Sequence, residues 1–487
     1  MQETHLGRMA VEYGLIDEET LCRCLELQER NTEGRALGEI LVSEGCLTDA
    51  VLKRLLSAQQ RLFELSELAG DDVEVGNIEA RLDGAGLVDY LGVLAELGGG
   101  RLRLFPGAPP VIEQAGRRAA LIDRTLVDDE VGWVLRAALH EDELAILSER
   151  GSWDGPREFD GLGRFALHAF QTRAGLGLVV ESLGRTPPKL EELGLPEVVQ
   201  AVPGMRQGLV LVTGPRSSGK STTLSALVQA INARRRCHIV TLERPITYRF
   251  QSDRALVAQR EIGRDVASCT EGIRSCLRED PDVLLVGEVA DPEQIAMALT
   301  AAETGHLVLA GMRTRSVLGT LMRIIDASPS RRRPHVRNML AALLRVVVCQ
   351  QLVPGSEGRG PSLATEVLVN TPAVANLIRE ERVHQIPQLI ELNRARGMML
   401  MDDSLARLVS EGLIGIGEAL SRAGDSARVH EAGRRSSGSI KRPQRRSSGT
   451  TASPARDAGR RSSGSIKAPQ QRGSGKTASP AREEEGE

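Results

Sequence analysis

Five apolar runs of strand type punctuate the chain from Leu209 to Leu352: LVLVTG from Leu209, HIVTLE from His238, DVLLVGE from Asp282, HLVLAG from His306 and RVVVCQQL from Arg345. Helical patterns separate them. Unbroken apolar strands alternating with helices predict a mostly parallel sheet covered on both faces, with ligand at the carboxyl ends of the strands. This domain is expected over residues 191–423. From Arg101 the pattern is different: RLRLF alternates, Pro106 to Pro110 turns, Val131 to Leu147 is helical, and Gly163 to Phe170 reads as a strand followed by a second from Gly175 to Val180. The expected product is a small α/β domain over 99–190, closed by the Thr186-Pro187-Pro188 linker. The Gly- and Asp-rich stretch 67–98, with only short periodic pieces, reads as a connector.

The first 66 residues carry an internal repeat. Leu6-Gly7, Gly14, Leu21, Leu25 and Gln28 recur thirty-one positions later as Leu37-Gly38, Gly45, Leu52, Leu56 and Gln59. The spacing predicts two stacked helical hairpins, with Gly14 and Gly45 at helix ends. At the other end, residues 424–487 are poor in apolar side chains, and GRRSSGSIK at Gly433 returns at Gly459. Such a segment buries too little surface to offset chain entropy and is expected to be disordered.

Composition refines this organisation. The chain has 487 residues and a formal net charge of −3, which implies no general affinity for nucleic acid. Residues 425–487 contain fourteen Lys or Arg against seven Asp or Glu. A basic tail on an acidic body suits anionic lipid, and its Arg-Arg-Ser-Ser pairs suit a basophilic serine kinase; a merely solvated tail is the plainer reading. The seven cysteines include no C-x-x-C pair, so reduced thiols are expected rather than a zinc site. The opening residues lack a basic segment followed by an apolar one, and no apolar run approaches a membrane span, so a soluble protein is expected.

The chemistry centres on Gly214-Pro215-Arg216-Ser217-Ser218-Gly219-Lys220-Ser221, which has the spacing G-x-x-x-x-G-K-S between a strand and a helix that opens at Thr222. Glycines let consecutive backbone N–H groups face phosphate oxygens, and the helix presents its positive end to the same anion. Lys220 is placed to reach the β/γ-phosphates and the Ser221 hydroxyl to ligate Mg²⁺. The nucleotide expected is ATP. Glu288, at the end of the DVLLVGE strand, is the second element. An acid after a strand is ordinarily a solvated turn residue, but in the same domain as a phosphate loop it can orient water.

The runs GLVLVTGP, GKSTTL, LREDPD, LLVGE, ALTAAETGHLV and NTPAVANLIREERV resemble the type IV pilus retraction ATPase (PilT-like) branch of the type II/IV secretion ATPase superfamily, from Arg101 to about Leu413. The resemblance implies a RecA-like P-loop domain preceded by a small PAS-like domain. It implies a hexameric motor at the cytoplasmic face of the inner membrane, working on a pilus platform protein, with each ATP site completed by a neighbour's small domain. Carried over by position, Glu288 matches the catalytic glutamate, Glu243 the first acid of the acidic box and His306 the first histidine of the histidine box. Arg278 and Gln350 also match. The loop residues Gly214, Pro215, Ser217, Ser218, Gly219, Lys220, Ser221 and Thr222 are expected to hold nucleotide.

The departures are as informative. The acidic box E-D-P-I-E is Glu243-Arg244-Pro245-Ile246-Thr247 here, and the second histidine of the family is Arg313. The small-domain arginines expected to reach a neighbour's phosphates fall on Ala166, Ala174 and Glu181, with Arg164 and Arg173 close by. Losing such groups slows phosphoryl transfer severely. Arg313 or Arg244 is expected to replace the missing charge at the γ-phosphate. Three readings follow: a slow retraction motor, a non-hydrolysing regulatory subunit of a homo-hexamer or mixed hexamer, and a pilus-assembly or secretion ATPase, the last disfavoured by the absence of a four-cysteine cluster.

The N-terminal repeat resembles the domain found on type II secretion and pilus assembly ATPases, some of which bind cyclic di-GMP. Here His5 and Ala36 stand where that family places a basic residue before Leu-Gly. Plain helical docking and cyclic di-GMP binding are the two readings.

Overall fold

The structure, a computed structural model, describes residues 2–12, 15–30, 35–69, 81–82, 85–114, 117–356 and 360–437. Gly14 and the tail beyond residue 437 lie outside the described residues. Strands are labelled β1 to β13, and helices of five residues or more α1 to α17.

The N-terminal unit comprises α1 (Gln2–Glu12), α2 (Glu18–Arg30), α3 (Leu37–Ser43) and α4 (Asp49–Ala69). Its repeat is visible in the packing. A Cβ on Gly7 would lie 2.5 Å from Leu21 Cδ1, and one on Gly38 would lie 2.8 Å from Leu52 Cδ1, the corresponding pair. The two copies also meet each other, because Leu37 packs on Gly7 and Leu6 on Gly38. Small residues at these two points let the hairpins approach and bury Leu6, Met9, Leu37, Ile40 and Leu41 in a common core. Gly45, at φ 71°, ends α3 in the left-handed conformation the repeat predicts for a helix stop.

Within the connector expected over 67–98, the described residues include the end of α4 and a further helix. Leu87–Glu96 forms α5, with Leu87, Tyr90, Leu91 and Leu94 buried on one face. That i, i+3, i+4, i+7 pattern is a helix signature hidden by the surrounding Gly and Asp. The helix belongs to the small domain, a six-stranded antiparallel sheet of order β3-β2-β1-β6-β5-β4. Its strands are β1 (Arg101–Leu104), β2 (Val111–Gln114), β3 (Arg117–Ala120), β4 (Ser152–Phe159), β5 (Gly163–Thr172) and β6 (Gly175–Leu183). The helical stretch expected over 131–147 is two helices, α6 (Asp128–Ala138) and α7 (Glu141–Arg150).

The second sheet has seven strands in the order β13-β12-β7-β11-β10-β8-β9. These are β7 (Gly208–Thr213), β8 (His238–Glu243), β9 (Leu256–Glu261), β10 (Val283–Val286), β11 (Leu307–Met312), β12 (Leu344–Val353) and β13 (Ser362–Val369). All pairs are parallel except β12 with β13. The strict alternation of side chains divides the apolar strands between two cores. Leu209, Leu211, Val240, Leu242, Leu284 and Val286 face one, with helices α9 (Cys269–Leu277), α10 (Pro292–Glu303), α11 (Val317–Asp326), α12 (Arg333–Leu343) and α13 (Pro372–Arg379). Val210, Val212, Ile239, Val283 and Leu285 face the other, against Leu224, Leu227, Val228 and Ile231 of α8 (Lys220–Arg234). Each such side chain contributes about 1.5–3 kcal/mol on burial, so a sheet covered on both sides is the stable outcome of this pattern.

The chain continues through α14 (Ile386–Leu392), α15 (Met401–Ser410) and α16 (Ile416–Leu420) to α17 (Ser426–Ser437). The disorder expected from Gly424 therefore does not begin there. Val429 is fully buried in a small core with Leu405, Leu408 and Val409, and Arg428 pairs with Glu391 and Asp403. All seven cysteines are free thiols. Among the described residues no helix is long and apolar enough to cross a membrane.

Candidate nucleotide site

The site lies at the carboxyl edge of the seven-stranded sheet, where β7 opens into the glycine-rich loop and α8. Gly214, at φ 149°, donates its N–H to the Met312 carbonyl at 3.2 Å. A Cβ there would stand 2.4 Å from both the Gln350 carbonyl oxygen and Ser218 Oγ, so only glycine lets the loop fold against β12. Gly219, at φ 84°, precedes α8 and turns the chain into the helix. Lys220 Nζ donates to the carbonyls of Gly214 and Pro215, at 2.9 and 2.5 Å, which holds the ammonium at the mouth of the loop. Burial lowers its pKa, opposed by the carboxylate of Glu288. Ser218 Oγ is buried without a partner. Gln350 braces the loop from β12: its Nε2 donates to Thr223 Oγ1 at 2.8 Å, and its Oε1 is also buried without a partner. Ser221 is exposed and Thr222 half-buried in the first turn of α8.

The acidic side is built by the ends of β8, β10 and β11. Gly287 N–H donates to the Leu242 carbonyl and Val289 N–H to the Gly311 carbonyl, at 2.8 and 2.7 Å, which draws the three strand ends together. Glu288 emerges beside Arg313, whose guanidinium donates to it at 2.5 Å. Both are part-exposed, at 36% and 46%. Glu243, the last residue of β8, is 5% exposed and accepts from Thr241 Oγ1, Gln259 Nε2 and Thr247 N–H. Burial raises its pKa above the ordinary carboxylate value, and the neighbouring Glu261 adds to the rise. Arg244 is exposed next to it.

Two contributors, Glu261 and Tyr248, are invisible in the sequence pattern, and a third, Arg164, is legible there only as a neighbour of the expected arginine-finger positions. Glu261 ends β9 directly opposite Glu243 and accepts from Ile246 N–H. The strand β9 escaped notice because it is a half-exposed edge strand, with polar Gln259 and Arg260 interrupting the apolar run. Tyr248 places its hydroxyl 3.5 Å from Thr222 Oγ1. Arg164 reaches from β5 to the Ile246 carbonyl.

Two expected site residues are not brought to this edge. His306 immediately precedes β11, so it sits at the amino edge of the sheet, a strand length of about 20 Å from the loop. It is 8% exposed, with Nδ1 against the Ala301 carbonyl at 2.9 Å and Thr304 Oγ1 at 3.0 Å. Its surroundings are those of a structural histidine satisfied by the α10 C-terminus. Arg278 caps the end of α9, exposed, ahead of the amino end of β10, and donates to the Arg274 carbonyl. Neither of these two positional matches to the family is brought to this chain's own loop.

Between the outer face of the small domain and the crest of the loop lies a cavity of about 340 Å³ lined by Arg101, Arg103, Arg118, Arg216, Arg422 and Glu113. Burial pushes the Glu113 carboxyl up, but Arg118 and Arg103 outweigh it and hold the pKa below the ordinary value. Arg101 also pairs with Glu181 and Arg422 with Glu418, and the remaining guanidiniums leave a positive pocket beside an anion-binding loop.

A glycine-cradled turn after a buried strand, a lysine at its mouth, and an acid at the end of a nearby strand define the class: this is a P-loop ATPase. Comparison with known proteins gives the family. Residues 189–388 match the family described as "Type II/IV secretion system protein". The chain is 41% identical over 298 residues to the twitching motility protein of Neisseria gonorrhoeae, covering 61% of this chain and 80% of that one. It is 38% identical over 328 residues to the type IV pilus retraction ATPase PilT of Pseudomonas aeruginosa, covering 67% and 95%. Among solved structures, the pilus retraction motor PilT with bound ADP superimposes with a TM-score of 0.62 at 34% identity, covering 71% of this chain and 99% of that one. The chain belongs to the type II/IV secretion ATPase family, in its PilT-like branch.

Proposed function

We propose that this protein is an ATP-driven motor of the type IV pilus retraction kind, working slowly. The observation that carries the reading is the loop itself, from Gly214 to Ser221, held in phosphate-binding geometry inside a fold shared over nearly the full length of PilT. The residues present fit a nucleoside triphosphate. Ser218 Oγ is buried without a partner, Lys220 stands over the loop, and the amides of Ser221 and Thr222 open α8. Mg²⁺ would arrive with the phosphates and take the Ser221 hydroxyl as its protein ligand, since the described residues contain no group of three His, Cys, Asp or Glu able to hold a metal alone. Bound Mg²⁺ would supply charge neutralisation on the phosphate oxygens.

In this reading Glu288 orients the attacking water, and Glu243, with Glu261 beside it, shapes the acidic wall. The Arg313–Glu288 pair supports slow turnover, because the carboxylate that positions water is engaged by a cation and must be released. Arg313 then contacts the γ-phosphate, doing the work of the absent histidine. The assembly is a hexamer, uniform or mixed, docked on an inner-membrane platform protein at the cytoplasmic face. The same pair also favours a second reading, a subunit that binds ATP and regulates a faster relative without turnover of its own.

Steady-state phosphate release by the full chain tests the choice. Glu288→Gln is expected to lower turnover about 100-fold while leaving ATP affinity within about threefold. Arg313→Ala is expected to lower turnover about tenfold or more. Wild-type turnover no faster than that of Glu288→Gln would establish the regulatory subunit instead. Unchanged affinity and turnover in Arg313→Ala would remove its role at the γ-phosphate.

A further inference from the structure

Arg164 is the one arginine among the described residues that lies in the buried interior, at 7% exposure. It stands near the start of β5, paired in register with Glu158 of β4 and Leu183 of β6. Its side chain leaves the small domain and enters the edge of the ATPase sheet. There Nη2 donates to the Ile246 carbonyl at 3.1 Å, while Nη1 is buried without a partner. Burial lowers the pKa of this guanidinium, Arg249 lowers it further, and the carboxylates of Glu158, Glu261 and Glu243 oppose the drop. A guanidinium desolvated to this degree, with a donor left over, is expensive for a residue whose sole task is to glue two surfaces.

The segment it grips, residues 244–248, is wired into the site from several sides. Ile246 N–H donates to Glu261 at 3.3 Å, Thr247 N–H to Glu243 at 3.4 Å, and the Tyr248 carbonyl accepts from Gln259 at 2.8 Å. The Tyr248 ring lies on Gly184, just past the end of β6, where a Cβ would come within 1.9 Å of Tyr248 Cε1. The Tyr248 hydroxyl lies 3.5 Å from Thr222 in the first turn of α8. Two points of the small domain, Arg164 and Gly184, therefore bear on one short turn. That turn bears on both the buried carboxylate Glu243 and the helix that carries Lys220.

We infer that Arg164 is a positioning residue that, through the 244–248 turn, ties the placement of the small domain to the placement of Glu243 and α8 in the nucleotide site. The inference rests on the ATPase reading of that site. Movement of the small domain withdraws the guanidinium, frees the turn and relaxes the acidic wall; docking restores it. The chain's own small domain thereby sets the geometry for hydrolysis without contacting the nucleotide.

Amide hydrogen exchange of the full chain, with Mg²⁺ and a non-hydrolysable ATP analogue, tests the coupling without requiring turnover. In the wild type the analogue is expected to slow exchange in the loop, in residues 244–250 and in residues 163–167 of β5. In Arg164→Ala the loop remains protected and the response at 163–167 is lost. Equal responses at 163–167 in both proteins overturn the inference. Failure of the analogue to protect the wild-type loop is a separate failure, of the nucleotide reading, and takes this inference with it. In turnover, Arg164→Ala is expected to lower kcat about tenfold with KM within about threefold, and Arg164→Lys to recover part of it. Tyr248→Phe keeps the ring on Gly184 and removes only the hydroxyl beside Thr222; it too lowers kcat at unchanged KM, and serves should Arg164→Ala fail to fold. A fall in thermal stability with kcat unchanged would reduce Arg164 to a structural anchor.

Discussion

At the scale of single residues, the ATPase sheet carries ionisable groups whose surroundings dictate their behaviour. Glu366 on β13 is 7% exposed and accepts the Val317 N–H that opens α11, at 2.9 Å. Burial pushes its carboxyl from an ordinary value of 4.5 up to about 7. Between those values the folded protein holds a proton that the unfolded chain has already released. Stability therefore falls as pH rises through this window, by about 3 kcal/mol when complete. Glu366→Gln removes the charge and keeps an acceptor for Val317. It is expected to raise the unfolding midpoint by about 4 °C or more at pH 8 and by less than about 1 °C at pH 5. Equal shifts at both pH values would contradict this. The loop motif was fully legible in the sequence because its chemistry is local: Gly214, Gly219 and Lys220 act through their own backbone and nearest carbonyls. The place of His306 was not legible for the converse reason: its neighbours Thr304 and Gly305 match a family motif, while the strand that follows carries the chain away from the histidine and toward the loop's edge.

At the scale of elements, the apolar runs announced β7, β8, β10, β11 and β12, all central strands with both faces covered. The edges β9 and β13 gave no such signal. β9 is half-exposed and polar, and β13, the one antiparallel strand, lies beyond the alternation of strand and helix that defined the domain. Helix α5 was hidden by the composition around it, and α17 by the basic repeat into which it runs. The consequence for the site is direct: without β9 in view, Glu261 could not be placed beside Glu243. The N-terminal repeat was the most legible element, because Gly7 with Leu21 and Gly38 with Leu52 are the same contact made twice. Gly38→Val drives a branched side chain into Leu52 and is expected to cost about 1–3 kcal/mol in that unit. Faster amide exchange across α1 to α4, with nucleotide affinity unchanged, is the anticipated result. Unaltered exchange would mean that the hairpins do not depend on this close approach.

At the scale of the whole molecule, the chain carries a nucleotide sheet, a small domain seated on its carboxyl edge through Arg164 and Tyr248, and a helical repeat ahead of both. Relatives of this architecture include a pilus retraction ATPase, which makes a motor the natural proposal. The departures at Arg313, Ala166 and Ala174 are why the motor is proposed to be slow. We propose that the Gly214 to Ser221 loop hydrolyses ATP with Glu288 as the residue that orients water. Phosphate release from Mg-ATP by the full-length protein, measured beside Lys220→Ala and Glu288→Gln, tests that claim most directly. Slow but measurable wild-type turnover is expected, abolished by Lys220→Ala and lowered about 100-fold by Glu288→Gln, with ATP binding lost only in Lys220→Ala. Turnover that persists in Lys220→Ala, or ATP binding that never occurs in the wild type, would contradict it.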